Sequence, residues 1–307
     1  MAAPRKGLVH QYFKRATAFE HTPNTPTSPA QNILLFIGGL SDGLLTVPYT
    51  TPLAASLPPT WTLAEVHLSS SYSGWGICDL SDDADEISKC VTYFRGIKTG
   101  KVVLMGHSTG CQDIMFYLTG TSHSTRAKID GAIMQGVVSD RQALEKDLDP
   151  ALYARSCAAA KAMIEAGDGD EILPPKTMND FFEVPVSAKR WLSLASPDHD
   201  GDDDFFSSDL SDEQLAKTFG TLPKETIVCI LHSGNDEFVD PKLDKDGIIR
   251  KWIGFIKKGG GSVDEVHSGV LEGATHNLKK ASPEVLGGLL RRVLGFLDGL
   301  DGKQANL

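Results

Sequence analysis

Apolar residues in this chain fall into short unbroken runs separated by longer stretches in which they recur at helical spacing. The run Ile33-Leu34-Leu35-Phe36-Ile37 stops at Gly38-Gly39. An uninterrupted apolar run bounded by glycine predicts a strand covered on both faces, the kind that parallel sheets contain. The same signal recurs at residues 63–68, 102–105, 129–134, 226–231 and 263–270. Between these runs, helical patterns occupy residues 82–98, 111–118, 241–257 and 283–297. Strands alternating with helices predict an α/β fold with a mostly parallel central sheet and helices on both faces. A pair of strands at residues 7–13 and 16–21 comes first, followed by a proline-rich loop at residues 21–29.

Residues 139–223 break the alternation. They carry no convincing buried strand, only helical pieces near 150–166 and 211–219, and read as an insertion within a single domain of residues 1–307. The polar end, residues 298–307, is expected to fray.

Composition narrows the functional classes. With 30 Lys and Arg against 40 Asp and Glu and no basic run, the chain is a poor ligand for nucleic acid. The acidic surplus sits in one place: Asp198, Asp200, Asp202, Asp203, Asp204, Asp209, Asp212 and Glu213 have no Lys or Arg among them. This run is expected to be a solvated loop, with a sharper alternative in which it repels anionic substrates and tolerates cationic ones. No apolar run is long enough to span a bilayer and the first residues lack a secretory h-region, so a cytoplasmic protein with no membrane partner is expected. Five cysteines with no CxxC spacing suggest reduced thiols, with neither disulfides nor a metal site. Phosphate loops of the GxGxxG and GxxxxGK[ST] kinds are absent, so no cofactor is expected.

Chemistry is concentrated where runs end. Residues 101–105 lead into Gly106-His107-Ser108-Thr109-Gly110 and then a helix. In this strand-turn-helix setting GxSxG forms a turn so tight that its flanking positions must be small, and the serine is held strained and exposed at a helix N-terminus. A nucleophilic serine needs a base, and the base an orienting acid. Asp236 follows the run 226–231 within Gly234-Asn235-Asp236, and His276 follows the last strand within Gly273-Ala274-Thr275-His276-Asn277. The competing histidine is His267; the competing acids are Asp140, Glu237 and Asp240. His107 reads as packing beneath the turn, and Cys111 has no base assigned to it. Donors for a developing oxyanion are expected at the Leu40 and Thr109 amides, because Gly38-Gly39-Leu40 lets backbone approach a substrate closely.

Phe36-Ile37-Gly38-Gly39-Leu40, Gly106-His107-Ser108-Thr109-Gly110, Gly234-Asn235-Asp236 and Gly273-Ala274-Thr275-His276-Asn277 together resemble the α/β-hydrolase superfamily. Ser70, Tyr72-Ser73-Gly74-Trp75-Gly76, the elbow with Cys111-Gln112-Asp113, and Asp203-Asp204-Phe205-Phe206-Ser207-Ser208-Asp209-Leu210 resemble, more narrowly, a fungal family of intracellular siderophore ester hydrolases. That resemblance implies cleavage of fusarinine-type and triacetylfusarinine-type ester bonds, intracellular iron release, a ferric siderophore as ligand, and Ser108, Asp236 and His276 as the triad. In such a hydrolase residues 139–223 would form a cap over the serine. Tyr72, Trp75, Trp191, Phe205 and Phe206 are candidate contacts for a large, partly apolar substrate. A general esterase, lipase or thioesterase would use the same triad, and a non-catalytic binding protein of this fold is the rival from another class.

Overall fold

The computed structural model describes residues 4–22, 30–178 and 183–302. Among the described residues nine strands form one sheet: β1 (Gly7–Phe13), β2 (Ala16–His21), β3 (Asn32–Ile37), β4 (Trp61–His67), β5 (Val102–His107), β6 (Gly131–Gln135), β7 (Ile227–Ser233), β8 (Ser262–Val263) and β9 (Gly269–Leu271), in the order β1-β2-β4-β3-β5-β6-β7-β8 with β9 also on β7. β1, β2 and β4 pair antiparallel, and every other pairing is parallel. Among the described residues ten α-helices accompany it: α1 (Thr50–Ser56), α2 (Leu80–Ile97), α3 (Gly110–Thr119), α4 (Asp140–Asp147), α5 (Pro150–Glu165), α6 (Pro175–Met178), α7 (Ala188–Ala195), α8 (Asp212–Lys217), α9 (Lys245–Gly259) and α10 (Pro283–Gly302).

The two-residue period of β3 explains why its apolar run is unbroken. Ile33, Leu35 and Ile37 face one cluster with the inner sides of α2, α3 and α9, while Leu34 and Phe36 face another with α1 and α10. Helix α2 starts where Asp79 accepts from the amides of Ser81 and Asp82, and Asp82 reciprocates. It then buries Leu80, Ala84, Ile87, Val91 and Phe94 at helical spacing.

Between β6 and β7 the chain divides. Helices α4, α5 and α7 build a third cluster around Leu144, Ala160, Trp191 and Leu194, whereas Phe205, Phe206, Leu210, Leu215 and Phe219 join the core beneath the sheet. Among the described residues of this segment the β-pairing is one isolated bridge, Ile172 to Ser187.

Several expectations need correction. The strand expected at residues 263–270 is two, because the Asp264 carboxylate accepts from the amides of Val266 and His267 and bends the chain into an Asx turn. The expected start of α9 at residue 241 gives way to Lys245, where Asp244 caps the helix through the Gly247 amide. Helices α1, α4, α6 and α7 were not anticipated. The expected fraying at residue 298 does not occur: α10 continues to Gly302, Leu300 is buried, and Asp301 accepts from the Trp61 indole at 3.0 Å. The proline-rich loop and the last five residues lie largely outside the described part of the chain.

Candidate active site

The candidate residues sit at the carboxyl ends of three strands of the parallel part of the sheet, β5, β7 and β9. Ser108 follows β5 with φ of 55°, a left-handed conformation that costs a serine energy and persists only when its surroundings impose it. The surroundings are close. A Cβ on Gly106 would lie 2.3 Å from the Gly110 carbonyl oxygen, and one on Gly110 would lie 2.4 Å from the Ile37 carbonyl oxygen. Strand β5 and helix α3 therefore turn with no room for side chains at those two positions. Ser108 itself is half-buried, at the start of α3.

The Asp236 and His276 side chains meet, with Nδ1 of His276 donating to Oδ2 of Asp236 at 2.8 Å. Asp236 follows β7, and its side chain is fully buried. Its other oxygen accepts from the Phe238 amide at 3.1 Å, so the loop holds the carboxylate in place. The Phe238 ring stands edge-on to His276, with centroids 4.8 Å apart. Glu237 is occupied elsewhere, accepting from the His276 backbone amide at 2.9 Å.

The other competitors are engaged in structure. His267 bonds Asp264 at 2.6 Å in the turn between β8 and β9. Asp240 accepts from the Lys242 amide, and Asp140 from the Gln112 side chain at 2.6 Å. His107 packs beneath the elbow, where burial lowers its pKa to about 3 and keeps it neutral. Cys111 is buried, its thiol donates to the Gly106 and Gln135 carbonyls, and burial pushes its pKa up, so it is no nucleophile.

Gly39 presses against the elbow, and a Cβ there would lie 2.6 Å from Ser108 Cβ. Its loop is closed by reciprocal bonds with Asp42 at 3.0 Å. Among the described residues, neither the Leu40 nor the Thr109 amide is spent on a turn or cap hydrogen bond.

The five aromatic candidates separate. Trp191 and Phe205 are core residues, 1% and 6% exposed and packed among apolar neighbours, and neither lines the cavities beside the elbow. Trp75 is buried and donates to Ser41 Oγ at 2.9 Å, bracing the glycine loop. Tyr72 is exposed and its hydroxyl accepts from the Leu44 amide. Phe206 is buried but lines, with Phe238, a cavity of about 620 Å³ beneath α4.

The acidic run is not uniformly a solvated loop. Asp203 is buried against Arg190 at 2.5 Å and Ser193 at 3.0 Å, and Asp204 meets the buried Arg141 guanidinium at 2.9 Å, with Asp209 on the same group. The countercharges come from α4 and α7, outside the acidic stretch itself. Asp198, Asp212 and Glu213 do remain on the surface, beside Lys161, Lys251 and Lys217.

Sequence reasoning missed Gln135, Phe238 and the buried carboxyls Asp83 and Asp113. Gln135 ends β6 in what looks like an ordinary buried strand, and nothing local marks it. Asp113, one turn into an otherwise apolar elbow helix, is the one such position that stands out. Among the described residues, no group of three or more His, Cys, Asp and Glu is arranged to hold a metal ion, and no helix is long and apolar enough to cross a membrane.

Comparison with known proteins bears on this site. A family model described as "Protein of unknown function (DUF1749)" matches residues 1–298. A fusarinine C esterase, sidJ, of Aspergillus fumigatus is 36% identical, the alignment covering 96% of this chain and 96% of that one. The solved structure of the siderophore hydrolase EstB from Aspergillus fumigatus superposes with a TM-score of 0.83 at 36% identity, covering 97% of this chain and 98% of that one. An α/β-hydrolase-fold protein of unknown function, 18% identical, superposes with a TM-score of 0.66 over the full length of both and shares the fold.

Proposed function

This chain belongs to the DUF1749 family and has the α/β-hydrolase fold, and on that premise we propose that it is a serine esterase cleaving ester bonds of hydroxamate siderophores. The observation that carries the reading is the His276–Asp236 bond of 2.8 Å beside the strained Ser108 elbow. A base whose tautomer is set by a buried carboxylate is what a serine hydroxyl needs in order to become a nucleophile.

In this mechanism His276 takes the Ser108 proton as Oγ bonds the ester carbonyl carbon. The carbonyl oxygen, now negative, is received by the Leu40 and Thr109 amides. Collapse breaks the C–O bond, and His276 returns the proton to the departing alcohol. A water then repeats the sequence and frees the acid. Asp236 holds the imidazole and offsets its charge without taking its proton. A siderophore cut at its esters holds iron with fewer linked arms, so iron is the cargo of the substrate and takes no part in the chemistry.

We assign α4, α5 and α7 to the cap over this site. The cavity beneath α4, walled by Phe206 and Phe238, supports this by offering room beside His276 for a bulky substrate arm. Five free cysteines fit a reducing compartment, as the intracellular reading requires.

The test is product analysis by mass spectrometry with ferric and desferri forms of fusarinine-type and triacetylated siderophores, beside p-nitrophenyl acetate. Stepwise gain of water by a siderophore, lost in Ser108→Ala and after labelling with a serine-directed phosphonate, is the expected result. Hydrolysis of the aryl ester with no siderophore cleaved would sink the substrate assignment. Unaltered turnover by Ser108→Ala would sink the triad.

A further inference from the structure

The cavity beneath α4, about 620 Å³, falls within the usual span of ligand pockets, about 300–1,000 Å³. Val137, Val138, Phe206, Phe238 and Leu243 make much of its wall apolar. Two buried side chains on that wall, His232 and Trp252, each leave one nitrogen unbonded. His232 is 2% exposed; its Nδ1 donates to the Ser233 carbonyl at 3.1 Å, and its Nε2 has no hydrogen-bond partner among the described residues. Trp252 is 1% exposed and lies flat against Phe219, with centroids 5.3 Å apart, and edge-on to Phe206. Its indole N–H likewise has no partner among the described residues.

The two nitrogens define what fits. A carbonyl oxygen only accepts, so the His232 proton is on Nδ1, and burial lowers the pKa of the ring and keeps it neutral. Nε2 is therefore an acceptor, whereas the indole is a donor. The other polar side chains of the wall are occupied or exposed. Ser139 and Gln142 bond Ser207 and Ser208, and Glu145 pairs with Arg141. Lys146 donates to the Glu237 carbonyl, Asp240 accepts from the Lys242 amide, and the Lys242 side chain is exposed. Glu145 and Asp240 offset Lys146 and Lys242, so the wall carries no net charge to favour an ion. A hydroxyl both donates and accepts, and it is the smallest neutral group able to bond either nitrogen or both.

Position assigns the half of the ester. His276 returns its proton to the departing alcohol oxygen, so the alcohol half lies on the His276 side of the reacting carbon. Phe238 stands edge-on to His276 and also lines the cavity, so a chain leaving that oxygen passes Phe238 to enter it.

We propose that this cavity is a subsite for a neutral aliphatic chain that ends in a free hydroxyl and belongs to the alcohol half of the ester, with His232 Nε2 and the Trp252 indole N–H as the hydroxyl's partners. This deepens the esterase reading and rests on it. The preference it confers runs against hydrophobicity, because a wholly apolar cavity favours a methyl over a hydroxyl at the end of the chain.

The test measures binding without requiring turnover. Titration calorimetry on the Ser108→Ala protein compares 6-hydroxyhexyl acetate with heptyl acetate, which carries a methyl where the first has its hydroxyl. The hydroxyl ester is expected to bind about fivefold tighter or more. It should also shift the nitrogen resonance of His232 Nε2, which heptyl acetate leaves in place. His232→Leu and Trp252→Phe, each added to that background and checked for folding by thermal melting, should each weaken the preference. Neither the parent affinities nor the resonance needs these substitutions, so a variant that fails to fold does not remove the test. Equal affinities, as a cavity holding only water would give, overturn the proposal, and so does tighter binding of heptyl acetate. No measurable binding of either ester, an unmoved His232 resonance, or a preference that survives both substitutions overturns it as well. Turnover of p-nitrophenyl acetate by the unsubstituted protein is followed in parallel. Its absence alongside an intact hydroxyl preference would sink the esterase reading alone, and its presence alongside equal affinities would sink the subsite alone.

Discussion

The Ser108 amide donates to the backbone carbonyl of Gln135 at 3.1 Å, which ties the strained nucleophile turn to the end of strand β6. The Gln135 side chain extends the tie. Its carbonyl oxygen accepts from the Tyr49 hydroxyl at 2.6 Å and from His107 Nδ1 at 2.8 Å, and its amide donates to Ser233 Oγ at 3.1 Å and the His276 carbonyl at 3.2 Å. One buried amide therefore links the segments that carry the proposed nucleophile and base.

Gln135→Leu keeps the volume and removes these partners. It leaves the buried Tyr49 hydroxyl and His107 Nδ1 without an acceptor, each at about 1–3 kcal/mol, while Ser233 keeps its bond to the His276 carbonyl. A drop in melting temperature is expected together with at least a tenfold fall in kcat and a smaller change in KM. A stability loss with kcat untouched would reduce Gln135 to a core residue.

Gly39→Ala tests how closely the glycine loop approaches the nucleophile. The new methyl would lie 2.6 Å from Ser108 Cβ and 3.1 Å from its Oγ, so serine or loop must move. Displacing an oxyanion donor costs about 100-fold or more in kcat. Ester turnover should fall by that order while urea denaturation changes little; full activity would contradict the placement of the Leu40 amide.

Arg190→Met separates the buried part of the acidic run from its surface part. The substitution strands Asp203, whose side chain is 1% exposed, and a broken buried pair costs about 3–5 kcal/mol. Lys161→Met removes a pair whose side chains are 61% and 62% exposed and should cost under about 1 kcal/mol. Denaturant midpoints of the two variants provide the comparison, and similar values would mean that the Arg190 pair is no better shielded than a surface one.

Asp140 introduces a pH dependence. Burial raises its pKa to about 7, above the 3.8 of an exposed aspartate. Between those values the fold keeps the proton that the unfolded chain has released, so stability is greatest in acid and declines as pH rises toward 7. Asp140→Asn can still accept the Gln112 bond and has no proton to lose. Its stability relative to wild type should therefore rise between pH 4 and pH 8, by about 4 kcal/mol at most. A difference that does not vary with pH would show that Asp140 titrates normally.

The sequence alone was sufficient for whatever short-range sterics and periodicity dictate. Unbroken apolar runs require cover on both faces, so β3, β5, β6 and β7 and the α/β class were legible. A strand, two glycines that leave no room for side chains and a helix mark Ser108 without reference to any distant residue. Asp236 and His276 stood as candidates by their place in the loops after β7 and before α10, in the chain order that the resemblance to α/β-hydrolases implies.

Only the tertiary structure decided who meets whom. Asp236 and His276 are 40 residues apart, Gln135 and His276 are 141 apart, and Asp204 finds Arg141 across 63 residues. Local sequence carries no record of such partners, because burial and countercharge are set by chain segments that folding brings together from far away. That is why two acids of a stretch read as solvated, Asp203 and Asp204, proved to be interior, why Trp191 and Phe205 pack among apolar neighbours, and why the meeting of Asp83 with Asp113 behind the glycine loop was not legible until α2, α3 and α7 enclosed them.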